Sequence, residues 1–203
     1  MEEAGLLSEL GLLYLQMDRL KDAVIFFRQA ADTYARSQDS NSEGRSRSNI
    51  GIALVKLQRY GEARNELHRT LQCKKPYGHA AEIWKTWDIL YDLEQATGNP
   101  QTAAEARRQA MASYLAHRRA GGESQSLAAK LCSLTAQAIQ EGQIAEIKKF
   151  LTQYQDANTP AWFKVMVPKL WAVIEGNRNP ALPDDPKLDY SVAAELKLLL
   201  ETL

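Results

Sequence analysis

One pattern constrains this chain more than any other. Leu10-Gly11, Tyr14, Ala23, Phe27 and Ala30 return forty residues later as Ile50-Gly51, Leu54, Ala63, Leu67 and Thr70. A third copy at the same offset reads Trp87, Leu90-Tyr91, Ala103, Arg107 and Ala110, and Arg28-Gln29-Ala30 reappears as Arg108-Gln109-Ala110. A repeat of this period means a stack of small units, each too small to bury its own apolar face. Inside each copy the first apolar positions follow the i, i+3, i+4, i+7 face of a helix, and the alanine twelve residues past the small position falls in a second helix. Gly11 and Gly51 on the first helices, with Ala23, Ala63 and Ala103 on the second, let the two axes approach closely. The joints are Met17-Asp18-Arg19, Leu57-Gln58-Arg59 and Thr97-Gly98-Asn99-Pro100. Gly98 is expected to take positive φ there, and Pro100 to open the next helix.

These residues resemble the tetratricopeptide repeat, whose signature is met in the first copy by Leu7, Leu10, Gly11, Tyr14, Ala23, Phe27 and Ala30. Ala35 stands where the family has proline, Arg47 takes the leading aromatic position of the second copy, and Tyr91 takes the small position of the third. That third pair is therefore expected to pack further apart. The resemblance covers about Ala4 to Gly122 and implies an all-α, right-handed α-solenoid of antiparallel helix pairs, with about ten helices here. Units of forty rather than the family's usual thirty-four imply longer helices or joints.

Past Gly121-Gly122 the signature fades. A degenerate fourth pair is expected over 123–157, with Leu127, Leu131 and Leu134 on one stripe, a break at Glu141-Gly142, and Ile144, Ile147, Phe150 and Leu151 on the next. Its small positions would be Ser133 and Ala145. The three good pairs then occupy 1–122 and a closing segment 158–203, which holds five of the seven prolines. There Asn158-Thr159-Pro160 reads as a cap and first turn of an apolar helix that Pro168 should kink or split. Residues Asn177 to Pro186 read as a loop and Tyr190 to Leu203 as a last helix.

Twenty-five basic against twenty-five acidic side chains give zero net charge, which argues against a dedicated nucleic-acid binder. By segment the charge is −3 over 1–40, +5 over 41–120 and −2 over 121–203. The basic block holds Arg107, Arg108, Arg118 and Arg119, but no aromatic residues are interleaved for base stacking, and a solvated helix face is the reading. Met1 is followed by two glutamates rather than the basic start of a secretory leader, and Cys73 and Cys132 read as buried free thiols. A cytoplasmic protein is expected. His68, His79 and His117 are far apart, and Asp184-Asp185 with Asp189 reads as a solvated loop. With no phosphate loop, HExxH, GxSxG or CxxC, no catalysis, cofactor or metal is expected.

The resemblance implies that the first helices line an inner, concave groove. Its candidate partner-binding residues are Arg45, Asn49, Ile52, Lys56, Lys85, Asp88 and Asp92. Asn49 leads because an amide donates and accepts together, and so can hold an extended backbone of any sequence. Relatives that grip chaperone C-terminal carboxylates use five basic or amide groove positions. Ser8, Leu12, Asn49, Lys85 and Ile89 stand there in this chain, so only two match and such a clamp is not expected. Asp88 and Asp92, one turn apart, form either a receptor for a basic side chain or a solvated pair beside Lys85. The expected function is a non-catalytic module binding a peptide or helical segment of another protein, with no membrane and no nucleic acid involved. The alternative is a ligand- or peptide-sensing regulatory domain of a larger signalling protein. Leu6, Leu7, Leu10, Leu12, Leu13 and Leu15 leave little of the first helix polar. Next to Leu6 and Leu13, the chain either meets further repeats of a longer parent or self-associates.

Overall fold

A computed structural model of the chain describes residues 2–153 and 159–203. Among them are ten α-helices and no strand, and the chain divides into two compact units, Met1–Ser113 and Tyr114–Leu203. The first contains α1 (Glu2–Gln16), α2 (Leu20–Arg36), α3 (Ser40–Lys56), α4 (Tyr60–Lys74) and α5 (Ile83–Ala96), with a 3-10 segment, Lys75–Ala81, before α5. Helix α6 (Pro100–Arg119) begins in this unit at the proline, as expected.

Each helix packs on the next along the chain through α5, because each carries one apolar face. Helix α2 buries Ala23, Val24, Phe27, Ala30 and Ala31, a stripe at helical spacing. Phe27, Ile50, Leu54, Leu67 and Leu93 are fully buried at the centre. The small residues act as the repeat requires: a β-carbon on Gly11 would lie 2.6 Å from the Phe27 ring, and one on Gly51 would lie 2.7 Å from the Leu67 side chain. Arg47, at the leading aromatic position of the second copy, is only 12% exposed at its side chain. It bridges Glu43 at 2.7 Å on its own helix and Glu66 at 2.9 Å on α4, so an ion triad replaces the aromatic contact between the pair.

The joints share one geometry. After α1, Arg19 N–H donates to the Tyr14 carbonyl and Asp18 N–H to Leu15. The same two bonds close α2 at Gln38-Asp39, α3 at Gln58-Arg59 and α5 at Gly98-Asn99. This six-to-one and five-to-two pair needs a left-handed residue between helices. Gly98 takes it at φ +72°, but Asp18, Gln38 and Gln58 hold φ +57° to +60° with a β-carbon present. Glycine has no β-carbon to crowd the carbonyl in that region. Gln38→Gly and Gln58→Gly, both at exposed positions, are each expected to stabilise the first unit by about 0.5–1 kcal/mol after the added unfolded-state entropy of glycine. Urea unfolding midpoints check this, and a loss of stability at either site would contradict it.

The second unit contains α7 (Leu127–Gln140), α8 (Ile144–Gln153), α9 (Ala161–Ile174), a 3-10 turn Leu182–Asp184 and α10 (Tyr190–Thr202). Three expectations are corrected here. Ser133 and Ala145 are exposed rather than placed at a close helix contact. Of the α7 leucine stripe only Leu131 is buried, whereas Leu127 and Leu134 are 51% and 45% exposed. The helix instead turns Ala128, Ala129, Cys132, Thr135 and Ala138 inward, a small-residue face that suits close packing with α10. Helix α9 is also not split at Pro168, which is exposed. Its N-cap is Pro160 itself, so that proline precedes the first turn, and Asn158 lies outside the described residues. Phe163, Met166, Val167, Leu170 and Val173 supply the buried face of α9.

Candidate functional site

Asp39 starts α3 by accepting from Ser42 N–H at 3.0 Å. That bond, above all, holds its carboxyl below its usual value, and the nearby Arg45 guanidinium adds to the effect. From this cap, Arg45, Asn49, Ile52 and Lys56 follow one another at intervals of four, three and four residues, one stripe along the helix. The first two open into a cleft of about 290 Å³ between α1 and α3, lined also by Ser8, Glu9, Leu12, Tyr34 and Ser46. Arg45 is exposed and Asn49 half-buried. The Ser8 and Ser46 hydroxyls sit 3.3 Å apart at the cleft. Ile52 and Lys56 continue the stripe outside it, half-buried and exposed respectively.

On α5, Lys85 and Asp92 stand forty residues after Arg45 and Ile52, with Asp88 between them. Lys85 pairs with Glu82 at 2.7 Å. Asp88 is half-buried and Asp92 exposed. Enough protein surrounds Asp92 that desolvation raises its carboxyl above its ordinary value.

A residue absent from the candidates stands near both groups. Lys74, the last residue of α4, is buried at 7% exposure, and its ammonium donates to the Thr86 hydroxyl at 3.4 Å. Burial lowers its pKa first of all; Glu82 opposes that, while Lys85 and Arg45 lower it further. Lys74 on α4 thus feels the charges of Arg45 on α3 and Lys85 on α5, with the Glu82 carboxylate, itself paired with Lys85, opposing them. The repeat pattern carried no signal for Lys74, because an alternation of apolar and small positions does not report a buried charge.

The basic block is engaged internally. Arg118 pairs with Glu195 at 2.9 Å, Arg119 with Glu201 at 2.6 Å, and Arg108 with Glu105. The solvated-face reading is therefore corrected for Arg118, whose carboxylate partner is 2% exposed. Cys132 is buried as expected, whereas Cys73 is half-buried; both are free. The aspartates of the loop have structural partners: Asp185 meets Lys169 at 3.0 Å, and Asp189 caps α10 by accepting from Ser191 and Val192 N–H. Among the described residues no three His, Cys, Asp or Glu side chains gather as a metal site would require, and no helix is long and apolar enough to cross a membrane.

A second cluster outside the candidates orders the α5–α6 joint. Glu94, 6% exposed, accepts from Arg64 at 2.6 and 3.0 Å, from Asn99 at 2.9 Å and from Thr102 at 3.2 Å. The Arg64 bonds, chiefly, hold its carboxyl below the ordinary value. A depressed folded pKa stabilises the fold above the unfolded glutamate value of about 4.3, and that stabilisation disappears as pH falls through the folded pKa. Glu94→Gln is expected to cost about 1–2 kcal/mol at pH 7 and much less at pH 3. Equal losses of urea midpoint at both pH values would exclude this role.

A family model described as tetratricopeptide repeat matches residues 2–75, the span from α1 to the end of α4. No curated protein matches the chain.

Proposed function

From the premise that residues 2–75 are tetratricopeptide repeats, which as a family are protein-interaction modules and not catalysts, we propose that this chain binds an extended, acidic segment of a partner protein along the α1–α3 cleft. The observation that carries the reading is the meeting of Arg45 and Asn49 in that cleft, with the Lys74 ammonium close enough to feel the Arg45 charge. The Asn49 amide pairs with the segment's backbone, and Arg45 receives a carboxylate in the forked geometry that guanidinium favours. Leu12 and Tyr34 supply apolar contact beside these polar groups.

The test is affinity capture with wild type, with Arg45→Ala plus Asn49→Ala, and with a control pair, Asn65→Ala plus Arg69→Ala, on an opening lined by α2 and α4. Partners held in the cleft are expected to fall at least tenfold in the first variant and to persist in the second. The opposite pattern would move binding to the α2–α4 side.

A further inference from the structure

A shift of one repeat carries the α1–α3 cleft onto the next pair of first helices. Tyr34 and Ser46 line that cleft, and forty residues after them stand Lys74 and Thr86. Likewise Arg45 follows Gly5, and Asn49 follows Glu9. Contacts at the centre agree with the shift: a β-carbon on Gly44 of α3 would lie 3.3 Å from Lys74 Cγ, and Lys74 Nζ donates to Thr86 of α5. Lys74 therefore stands between α3 and α5, as Tyr34 does between α1 and α3.

The two places differ in charge. In the first, Glu9 stands with Arg45. Around Lys74, the Arg45 and Lys85 charges act together against one carboxylate, Glu82, which is itself paired with Lys85 at 2.7 Å. Asp39 faces Arg45 from the α3 cap, where Ser42 N–H already holds its carboxylate. Each exposed cation thus has a carboxylate beside it, and Lys74 does not. It is 7% exposed, and among the described residues its three N–H donors meet one acceptor, the Thr86 hydroxyl, at 3.4 Å. That bond is long, and an ammonium out of water is tolerated best where an anion answers it.

We propose that Lys74 is a carboxylate site: a glutamate or aspartate further along the acidic segment enters between α3 and α5 and pairs with the Lys74 ammonium. The inference rests on the reading that an acidic segment lies in the α1–α3 cleft, and it extends that segment by one repeat. The flexible four-carbon stem beside Gly44 lets the ammonium rise to meet the incoming group. One unanswered positive charge suits a single carboxylate better than a phosphate dianion, which would set a second negative charge beside Glu82. Lys74 belongs to the second helix of its pair, so the site is separate from the five first-helix positions that chaperone-gripping relatives use.

Fluorescence anisotropy of the full chain with a labelled hexaglutamate peptide, acetylated and amidated at its ends, tests this, with hexaglutamine as the uncharged control. Wild type is expected to bind the first and not the second. Lys74→Met keeps the apolar stem and should weaken binding about tenfold or more, whereas Lys75→Met removes the same charge from an exposed neighbour and should change it less than about twofold. In the unsubstituted protein, the ε-methylene resonances of Lys74 should shift as hexaglutamate is added. No binding by wild type, equal losses in the two lysine variants, or Lys74 resonances that stay in place would each overturn the proposal. So would a phosphoserine-containing peptide that binds through Lys74 more tightly than hexaglutamate. Arg45→Ala plus Asn49→Ala, assayed on the same peptide, scores the α1–α3 reading separately. A loss there with Lys74→Met unaffected overturns this inference alone, and a loss in Lys74→Met alone overturns the α1–α3 reading.

Discussion

Arg118→Ala is expected to destabilise the second unit by about 3 kcal/mol, one of the two largest losses foreseen for a side chain of this protein. Glu195 lies in α10 with 2% of its side chain exposed, and it accepts from Arg118 Nε at 2.9 Å and from the Tyr114 hydroxyl at 2.6 Å. Arg118 also donates to the Gly122 carbonyl at 2.7 Å. Removing the guanidinium leaves a carboxylate in the interior with one neutral donor. Breaking a buried pair costs about 3–5 kcal/mol, and the 24% exposure of Arg118 admits some water, which sets the value at the lower end. Tyr114 has its phenol pushed up to about 12, by burial first and by the Glu195 carboxylate second, so it remains a donor at any ordinary pH. Tyr114→Phe should therefore cost about 1.5–2 kcal/mol, less than loss of the arginine. Adding Glu195→Leu to Arg118→Ala should recover much of the loss, because an apolar side chain needs no partner there. Urea unfolding with amide exchange on α10 checks the order, and a double variant no more stable than Arg118→Ala would refute it.

Glycine-to-alanine substitutions within the first unit are expected to reverse sign with position. At Gly5 and Gly61 a β-carbon meets nothing within 4 Å, so alanine should stabilise each helix by about 0.8–1 kcal/mol through its backbone preference. At Gly11 and Gly51 the same gain is opposed by contacts of 2.6 Å with the Phe27 ring and 2.7 Å with Leu67, both fully buried. Overpacking of a tight core costs about 1–3 kcal/mol, and the Phe27 ring has no space to move into, so the loss wins. Gly11→Ala combined with Gly51→Ala should lower stability by about 3 kcal/mol, and Phe27→Leu should relieve the Gly11→Ala clash in part. Stabilisation at all four glycines would show that helix preference, not helix approach, governs these positions.

The arrangement of the first unit was legible in the sequence because it rests on local rules. Forty-residue spacing of Gly11 with Gly51, and of Ala23 with Ala63 and Ala103, specified which helix faces meet. Gly98 and Pro100 marked a joint that the structure places where expected. Asn49 and Arg45 were legible as cleft residues through the same register, once a family resemblance said which face is open. Past Gly122 this reasoning lost its footing, since Ser133, Ala145, Leu127 and Leu134 were assigned by a period that the second unit does not keep. Its packing follows the small face of α7 instead.

What only the tertiary structure decided is the fate of charge. Arg118 and Glu195 are 77 residues apart, Arg64 and Glu94 30 apart, and no periodicity links either pair. Lys74, which the repeat pattern did not single out, is buried and donates to the Thr86 hydroxyl near the start of α5. Apolar burial depends on the helix face, which sequence spacing states directly. A charge inside a protein is tolerated only where another group answers it at hydrogen-bonding distance, and that distance exists only after the helices have packed.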